Sequence, residues 1–366
     1  MTTARCILLA AGGTGGHLFP AASLASELAR RGAEIELATD DRAMRYGGEF
    51  PARAVHAFPA ATTTSRGSSA KVRAALTLGL GVAAALVTLT RVNPRAVVGF
   101  GGYPTVPPLV AASLLCIPTL LHEQNAVMGR ANRFLSSRVS LIACGFPELK
   151  DVDAAIKPKI RFTGNPVRPS VIAAASTPFP DFTGSRLNLL VTGGSQGAQV
   201  MADVVPAALA LLSPDQRNRI RLTQQARGED KARGAAACAR MNFPVEIAEF
   251  FADLPARIAD AHLVIGRAGA STVSELAVIG RPSVLTPFPH ALDQDQAANA
   301  AALAESGGSL VVPESDFTPE RLARILGDAL AAPAKLAASA RAAKSVGVSD
   351  AAERLADLVL SIAAPA

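Results

Sequence analysis

The chain has 366 residues and a formal net charge of +6, with 49% hydrophobic and 18% charged residues. This composition excludes a disordered or collagen-like chain, and the length predicts two domains of about 100–200 residues each. The four cysteines form no CxxC pair, so we expect buried, reduced thiols rather than a disulfide framework or a zinc site.

The first predicted strand is the apolar run CILLAA at 6–11, which leads into the glycine loop GGTGGH at 12–17. The run is too short for the core of a signal peptide. Glycines between a strand and a helix let the backbone approach a phosphate, and the free N–H groups of the helix N-terminus favour an anion. The alternatives are a tight turn with no ligand and a nicotinamide site, although Leu18 stands where the dinucleotide fingerprint needs Gly or Ala.

His17 closes this loop at the start of the predicted helix. An imidazole there can take a proton near neutral pH, which predicts a catalytic base at the mouth of a ligand site. The other interpretation is a histidine that bonds only to the backbone.

Residues 50–122 contain no Asp or Glu but carry several Arg and Lys residues, and they include the uncharged run AALTLGLGVAAALVTLT at 74–90. The neighbours of the charges are apolar rather than aromatic, which favours an anionic lipid surface over nucleic acid. Three structures stay open for 74–90: a helix that covers the sheet, such a helix that also touches a membrane surface, or a membrane span of minimal length. The candidate membrane-facing residues are Lys71, Arg73, Leu76, Leu80 and Arg91.

Short apolar runs continue to alternate with helical patterns, as in a parallel sheet of βαβ units. In the first half these runs are EIELAT, AVVGF, PTLL and VSLIAC. The polar residues His122, Glu123, Gln124 and Asn125 follow PTLL, where the carboxyl end of a buried strand meets a ligand. Their side chains suit sugar hydroxyls or an amide, and the alternative is an ordinary polar loop.

The second half repeats the opening of the chain, because LNLLVT at 187–192 leads into GGSQGA. The segment RFTGNPVRPS at 161–170 contains the Gly-Asn-Pro break expected of a hinge. We therefore predict an α/β fold of two doubly wound, Rossmann-like domains that face each other across a cleft. The predicted boundaries are 1–164 and 165–344, with a C-terminal helix within 345–366 that packs back on the first domain. The later predicted strands are IRLT, VEIAEF, HLVIG, PSVLTPF and SLVVP.

Two further motifs repeat the strand–loop–helix design. In VIGRAGASTVSE, the loop and the helix end can hold a diphosphate while Glu275 binds a ribose diol; alternatively, Thr272 and Glu275 only form a capping box. In PFPHALDQDQAANA, Gln296 and Asn299 share a helix face and suit sugar hydroxyls. The pair Asp293 and Asp295 has the D-x-D spacing of some metal sites, although two acids are also common in a polar loop.

Taken together, these stretches resemble the MurG family of peptidoglycan glycosyltransferases, and the resemblance covers residues 6 to about 312. One glycine loop alone would be weak support, whereas several ordered motifs are specific. The motifs are, in chain order, GGTGGH, GGYPTVPP, HEQNAVMGRANR, TGNPVR, GGSQGA, RAGASTVSE and PFPHALDQDQAANA.

The resemblance implies the two-domain GT-B glycosyltransferase fold. It also implies an inverting transfer of N-acetylglucosamine from UDP-GlcNAc to the 4-hydroxyl of MurNAc in lipid I, the lipid-linked muramyl-pentapeptide, which gives lipid II. The expected location is peripheral, at the cytoplasmic face of the bacterial inner membrane. The expected partners are UDP-GlcNAc, lipid I and an anionic phospholipid surface, with room for cell-wall or cell-division proteins and with no nucleic acid. No cofactor and no metal are expected to be required.

By this resemblance, His17 is the general base, and Tyr103, His122 and Glu123 lie on the acceptor side. The implied donor-binding residues are Thr14, Gly15, Gly16, Asn125, Arg168, Ser195, Phe251, Ala270, Ser271, Thr272, Glu275, Gln296 and Asn299. Among them, Ser195 and Thr272 would contact the diphosphate, and Phe251 would present its backbone to the uracil. The sequence departs from some relatives at Asp295, where they have an amide, and in the absence of large aromatics from the membrane-facing segment.

Three other functions stay open on the residues alone. A UDP-N-acetylglucosamine 2-epimerase on the same scaffold would not need the acid-free region at 50–122. A nicotinamide dehydrogenase is disfavoured by Leu18, and a non-catalytic, membrane-docking subunit that binds a nucleotide sugar would have no use for His17.

Overall fold

The computed structural model describes residues 6–12, 15–40, 50–60, 68–182, 186–194, 197–291 and 294–364. The chain divides into two compact units, one formed by Met1–Arg168 with Ser349–Ala366 and the other by Pro169–Val348. Each unit is built on its own parallel sheet, as the alternation of strand and helix patterns predicts.

The first unit contains the strands β1 (Cys6–Ala10), β2 (Glu34–Thr39), β3 (Ala54–Ala57), β4 (Ala96–Gly99), β5 (Thr119–Glu123), β6 (Leu141–Cys144) and β7 (Ile160–Phe162). Its helices up to this point are α1 (Gly15–Arg30), α2 (Ser68–Val92), α3 (Val106–Leu114) and α4 (Arg130–Leu135). Within the described residues the strands lie in the order β3-β2-β1-β4-β5-β6-β7. This is a doubly wound order, in which the sheet grows outward from β1 on both sides.

The second unit follows the same plan. Its helices are α5 (Pro169–Ala174), α6 (Gln199–Leu211), α7 (Pro214–Asn218), α8 (Gly228–Arg240), α9 (Leu254–Asp260), α10 (Ala270–Ile279), α11 (Asp295–Glu305), α12 (Pro319–Ala331) and α13 (Pro333–Ser345). Its strands are β8 (Leu187–Thr192), β9 (Ile220–Gln225), β10 (Val245–Ala248), β11 (Leu263–Gly266), β12 (Ser283–Leu285) and β13 (Ser309–Val311). They lie in the order β10-β9-β8-β11-β12-β13. The repeated apolar run of the sequence thus becomes β1 in one sheet and β8 in the other, each at the corresponding central position.

Helices bury β1 on both faces, which explains why its five residues are all apolar and fully covered. On one face, Leu9 packs with α1 and with α14 (Ala351–Ala363), the helix that returns from the far end of the chain. On the other face, Leu8 packs with α2 and α3. The predicted fold class is confirmed by these two sheets.

Two strands, β3 and β7, are absent from the apolar runs that the sequence singles out. Both lie at the edges of the first sheet, where only part of each side chain is covered. Val55 in β3 is 45% exposed and Phe162 in β7 is 39% exposed. An edge strand needs no continuous apolar run, so its pattern is weak.

One face of α2 covers the sheet and the opposite face is exposed. Ala85 and Leu89 are buried in the core, whereas Leu76 and Leu80 are 64% and 67% exposed. By length and composition alone Val72–Val92 could cross a membrane, with a mean hydropathy of 1.9. The buried face favours a sheet-covering helix over a span, because a span would have to leave this core.

Gly81 marks the closest approach of α2 to the rest of the unit. A Cβ atom on Gly81 would lie 2.2 Å from the carbonyl oxygen of Pro59 and 3.0 Å from the ring of Pro107. Among the described residues, no atom lies within 4 Å of the same position on Gly79. Packing therefore requires a glycine at position 81 but not at position 79.

The expectation of buried thiols is correct for Cys6, Cys144 and Cys238 and wrong for Cys116, which is exposed. Cys116 has a φ of 56° in the turn between α3 and β5, so its exposure follows from the turn. Burial raises the pKa of the Cys6 and Cys144 thiols to about 11, which keeps them protonated and unreactive.

Candidate active site

In each sheet the strand order changes direction beside the central strand, and glycine-containing loops follow the strands there. In the first unit these are the loops after β1 and β4, and in the second unit the loops after β8 and β11. Ligands of open α/β sheets bind outside the carboxyl ends of the strands at such a point. Each unit therefore has one candidate ligand-binding edge.

His17 lies in the first turn of α1, beside the loop that follows β4. Its ring makes a hydrogen bond with the backbone of Gly12. A Cβ on Gly101 would lie 3.4 Å from Nε2 of His17, and a Cβ on Gly102 would lie 3.5 Å from Cε1. These distances are ordinary van der Waals contacts, so the imidazole does not itself exclude a side chain there. Both positions favour glycine because their φ angles are positive, 86° and 74°.

Loss of solvent around the imidazole lowers the pKa of His17, and the bond to Gly12 only partly opposes that effect. The ring is therefore neutral at neutral pH, which is the state a general base needs. The structure shows the hydrogen bond to the backbone, and the role of His17 as a catalytic base stays a prediction.

His122 is fully buried in β5 rather than placed after the strand. Its Nε2 lies 3.1 Å from the carbonyl oxygen of Gly164, and its Nδ1 lies 3.2 Å from Nε2 of Gln124. One ring nitrogen donates and the other accepts, and burial lowers the pKa of His122 to about 4. This neutral side chain therefore supports the candidate site from inside the unit, with both ring nitrogens used by groups of the protein.

Glu123 is 1% exposed and holds the loop that follows β5. Its Oε1 accepts from the backbone N–H of Asn125 at 3.0 Å. Its Oε2 accepts from the N–H of Gly129 at 2.9 Å and from Nδ2 of Asn132 at 2.8 Å. Burial raises the pKa of the Glu123 carboxyl, against the effect of these hydrogen bonds. The side chain therefore shapes the loop that carries the half-exposed Asn125.

Gln124 and Asn132 are supporting residues that the sequence does not single out for these roles. Gln124 donates from Nε2 to the carbonyl oxygen of Phe100 at 2.9 Å, which links the loop after β5 to the end of β4. Asn132 lies on α4, and its amide is within 3.5 Å of the Cβ position of Gly101. No spacing in the sequence indicates these contacts, because they join separate elements.

Five other first-unit residues are predicted to belong to the site, and the structure describes four of them. Arg168 places its guanidinium carbon 4.8 Å from the ring centroid of Phe19, on α1. Tyr103 is half-buried in the short 3₁₀ turn Tyr103–Thr105. Gly15 is buried and Gly16 exposed at the start of α1, and Thr14 lies outside the described residues.

In the second unit, the loop after β8 folds back tightly on itself. A Cβ on Gly193 would lie 2.4 Å from the backbone nitrogen of Ala198. Gly194 and Gly197 have φ angles of 72° and 77°, and the N–H of Gly197 donates to the carbonyl oxygen of Gly194 at 3.2 Å. Such a loop ahead of α6 suits an anion, although Ser195 itself lies outside the described residues.

The loop after β11 is held from both sides by α11. The N–H of Ala268 donates to Oε1 of Gln296 at 3.3 Å, and Nδ2 of Asn299 donates to the carbonyl oxygen of Ala268 at 3.2 Å. The N–H of Phe288 also donates to Oε1 of Gln296, at 3.0 Å. The predicted sugar-binding amides therefore position this loop, whatever else they contact.

The capping-box interpretation of Thr272 and Glu275 is wrong. α10 begins at Ala270, with Gly269 at the N-cap position and no side-chain cap, so both residues lie inside the helix. Ser271 and Thr272 are half-buried in the first turn, and Glu275 is 7% exposed.

The segment after β10 presents one phenylalanine outward and one inward. Phe250 is 68% exposed and Phe251 is 6% exposed. The guanidinium carbon of Arg257 lies 4.2 Å from the ring centroid of Phe251, so packing occupies this ring. The expectation that the backbone of Phe251 contacts the uracil stays a prediction.

The structure describes only the second residue of the D-x-D pair. Asp295 begins α11, and Asp293 lies outside the described residues. Among the residues that the structure describes, no group of three or more His, Cys, Asp and Glu side chains is arranged to hold a metal ion.

Comparison with family models and with known sequences shows which proteins this chain is similar to. The profile of the glycosyltransferase family 28 N-terminal domain matches residues 7–144, and that of the C-terminal domain matches residues 188–355. A relative from Methylobacterium sp. (strain 4-46) is 55% identical, with 99% of this chain and 98% of the relative covered. A relative from Mesorhizobium japonicum is 56% identical, with 98% and 95% covered. Both are named UDP-N-acetylglucosamine--N-acetylmuramyl-(pentapeptide) pyrophosphoryl-undecaprenol N-acetylglucosamine transferase.

Solved structures agree on the fold. The crystal structure of MurG from Acinetobacter baumannii superposes with a TM-score of 0.79 at 27% identity and covers 98% of this chain and 99% of that chain. A UDP-GlcNAc 2-epimerase from Neisseria meningitidis superposes with a TM-score of 0.69 at 13% identity and covers 98% and 100%. At that identity the likeness extends to the fold alone.

Proposed function

Because this chain belongs to glycosyltransferase family 28, we propose that it transfers N-acetylglucosamine from UDP-GlcNAc to the lipid-linked muramyl-pentapeptide, lipid I, and so forms lipid II. The observation that carries this proposal is the identity of 55% and 56%, over nearly the full length of the chain, to relatives named for that reaction. The strand order alone would not select it, because an epimerase has the same fold.

In the proposed step, the neutral imidazole of His17 takes the proton of the acceptor 4-hydroxyl. The acceptor oxygen forms a bond to the anomeric carbon as the bond from that carbon to the diphosphate oxygen breaks. UDP leaves with the electron pair, and a single displacement converts an α-linked donor into a β-linked product. The lowered pKa of His17 supports this role, since the base is unprotonated before the reaction begins.

The second unit supplies the donor side of the proposal. The loops after β8 and β11 precede α6 and α10, and N–H groups at helix N-termini stabilise a diphosphate that gains charge on leaving. We assign Glu275 to the ribose hydroxyls and the backbone at Phe251 to the uracil. Gln296 uses Oε1 for the loop after β11, so we assign its amide nitrogen to the sugar.

The exposed face of α2 supports a peripheral position at the cytoplasmic face of the bacterial inner membrane. Leu76 and Leu80 stand on that face, and Arg73 and Arg91 are exposed near its two ends. Lys71 also lies in α2. Apolar side chains would enter the lipid boundary, while each basic residue near an anionic surface adds about 1 kcal/mol. The acceptor is itself a lipid, so the enzyme and its substrate would meet at one surface.

The test is UDP release from UDP-GlcNAc by the purified protein, with and without a short-chain lipid I analogue. Release that requires the analogue, together with a disaccharide product, is the expected result. Release without acceptor would instead indicate a hydrolysing epimerase. Tight UDP binding with no release under either condition would indicate a docking subunit.

A further inference from the structure

Three consecutive hydrogen bonds join two loops at the carboxyl edge of the second sheet. The N–H of Gly194 donates to Oγ1 of Thr192 at 3.3 Å. That hydroxyl donates to Oε1 of Gln225 at 2.8 Å, and Nε2 of Gln225 donates to the carbonyl oxygen of Glu249 at 3.2 Å. The relay runs from the loop after β8, through the end of β9, to the segment after β10.

The two side chains of the relay, Thr192 and Gln225, are buried, and the first lies close to β11. Thr192 is 2% exposed and Gln225 is 7% exposed. On the side away from Gln225, the methyl group of Thr192 would lie 3.2 Å from a Cβ on Gly266, the last residue of β11. Because Thr192 and Gln225 are buried, removing the amide of Gln225 leaves the Thr192 hydroxyl without its acceptor away from water. It also removes the donor to the carbonyl oxygen of Glu249, which belongs to an exposed residue.

We propose that Gln225 is a positioning residue, which fixes the spacing between the diphosphate-facing loop after β8 and the uracil-facing segment after β10. The inference rests on the proposed function, because that function assigns the two loops to the two ends of one nucleotide. A nucleoside diphosphate contacts both loops at once, whereas uridine or pyrophosphate contacts one. Fixed spacing therefore raises the affinity for the whole ligand above what each half provides.

The experiment compares three probes, UDP, uridine and inorganic pyrophosphate, on the full chain by calorimetry and competition. For Gln225→Leu we expect UDP to bind roughly tenfold more weakly, the value of about one or two lost hydrogen bonds, while each half-ligand changes by less than about twofold. The control is Thr223→Val. Thr223 lies on the same face of β9 and is half-buried, and its hydroxyl makes no side-chain hydrogen bond within the described part of the chain.

Two conservative variants separate positioning from simple damage. Thr192→Ser keeps the hydroxyl and should retain UDP affinity, whereas Thr192→Val should lose it. In Gln225→Glu, an ionised carboxylate can accept from Thr192 but cannot donate to the Glu249 carbonyl, whereas the protonated acid can do both. Relative to wild type, UDP affinity of this variant should therefore recover as the pH falls from about 8 to about 5.5.

Hydrogen exchange of the unliganded protein provides a readout that needs no nucleotide. In Gln225→Leu, the amides of Gly194 and Phe250 should exchange faster than in wild type. UDP affinity that stays unchanged in this variant, or uridine affinity that falls as much as UDP affinity, would overturn the inference and leave the proposed function standing. Wild-type protein that binds no UDP would overturn both.

Discussion

The two units share the order of six strands, to which the first adds β7 at one edge, but the side chains at the ends of their strands differ. In the first unit, titratable side chains lie at that edge, with His17 beside the loop after β4 and His122 and Glu123 buried in β5. In the second unit, Thr192 and Gln225 hold one loop and α11 amides hold the other, while Arg267 pairs with Glu314 at the same edge. The difference that bears on the proposed function is His17, which places a neutral imidazole at the first edge, whereas Ala198 stands at the matching position of the second glycine loop.

The connections differ as much as the edges do. Between the third strand and the fourth, the first unit inserts the 25 residues of α2, whereas the second unit inserts the seven of α9 at the same topological position. The additional length of α2 carries the exposed apolar face. The long helix with an exposed apolar face is therefore a feature of the first unit, and the short α9 takes its place in the second.

The largest expected effect is at His17. His17→Ala should lower kcat by about 10²–10⁴-fold, the usual contribution of a positioned general base, with UDP affinity unchanged. Because burial lowers the pKa of His17, the acid limb of the wild-type kcat/KM profile should lie below the ordinary histidine value. Steady-state assays across pH check both points. Near-normal turnover of His17→Ala would mean that His17 is not the general base, and the first unit would then lack the proton-accepting group that distinguishes it from the second.

The next effect concerns α2. The double variant Leu76→Ser, Leu80→Ser should reduce binding to anionic vesicles by about 10–100-fold, because two exposed apolar side chains would no longer enter the lipid. Vesicle flotation measures this. The matched control is Leu211→Ser, on α6 of the second unit, where the leucine is 56% exposed. Equal losses in both proteins would mean that α2 is not the membrane-facing element.

A smaller effect separates the two glycines of α2. Gly81→Ala should lower the free energy of unfolding by about 1–3 kcal/mol, because the new methyl group would collide with the Pro59 carbonyl. Gly79→Ala should raise it by about 0.5–1 kcal/mol, since that position is open and alanine favours a helix. Chemical denaturation of both variants is the measurement. Stabilisation by both changes would mean that α2 is not packed as described.

The smallest effect compares two buried glutamines. Gln124 is hydrogen-bonded at the first edge, whereas neither Nε2 nor Oε1 of the fully buried Gln224 has a partner among the described residues. Gln224→Met should raise the free energy of unfolding by about 1 kcal/mol, and Gln124→Met should lower it by at least that much. Thermal and chemical denaturation of the pair test this. A loss of stability in Gln224→Met would indicate a partner for that amide.

The sequence predicts the fold well wherever strands are covered on both faces. Continuous apolar runs such as LNLLVT are visible without context because both faces of the strand are buried. β3 and β7 are missed because edge strands are short and half-exposed. His122 and Glu123 are predicted to follow β5 but belong to it, since a polar residue in a strand is recognisable only once its partners are known.

For the candidate site, motifs locate the loops but not the contacts within them. The position of His17 follows from its place after a glycine loop, whereas its closeness to Gly101 and Gly102 depends on a separate strand. The relay through Gln225 joins three strands, and no pattern along one of them encodes it. Sequence therefore indicates which segments meet a ligand, while the supporting hydrogen bonds require the three-dimensional arrangement.

The return of α14 to the first unit has a consequence for synthesis. Leu355 and Val359 of this helix pack in one cluster with Leu24 and Leu28 of α1, yet residues 169–348 are translated in between. The ribosome thus delivers the whole second unit before the first unit receives its last helix. Until α14 has been translated, the apolar residues of α1 that pack against it stay uncovered by that helix in the nascent chain. The first unit is therefore the first to be started and the last to be completed during translation.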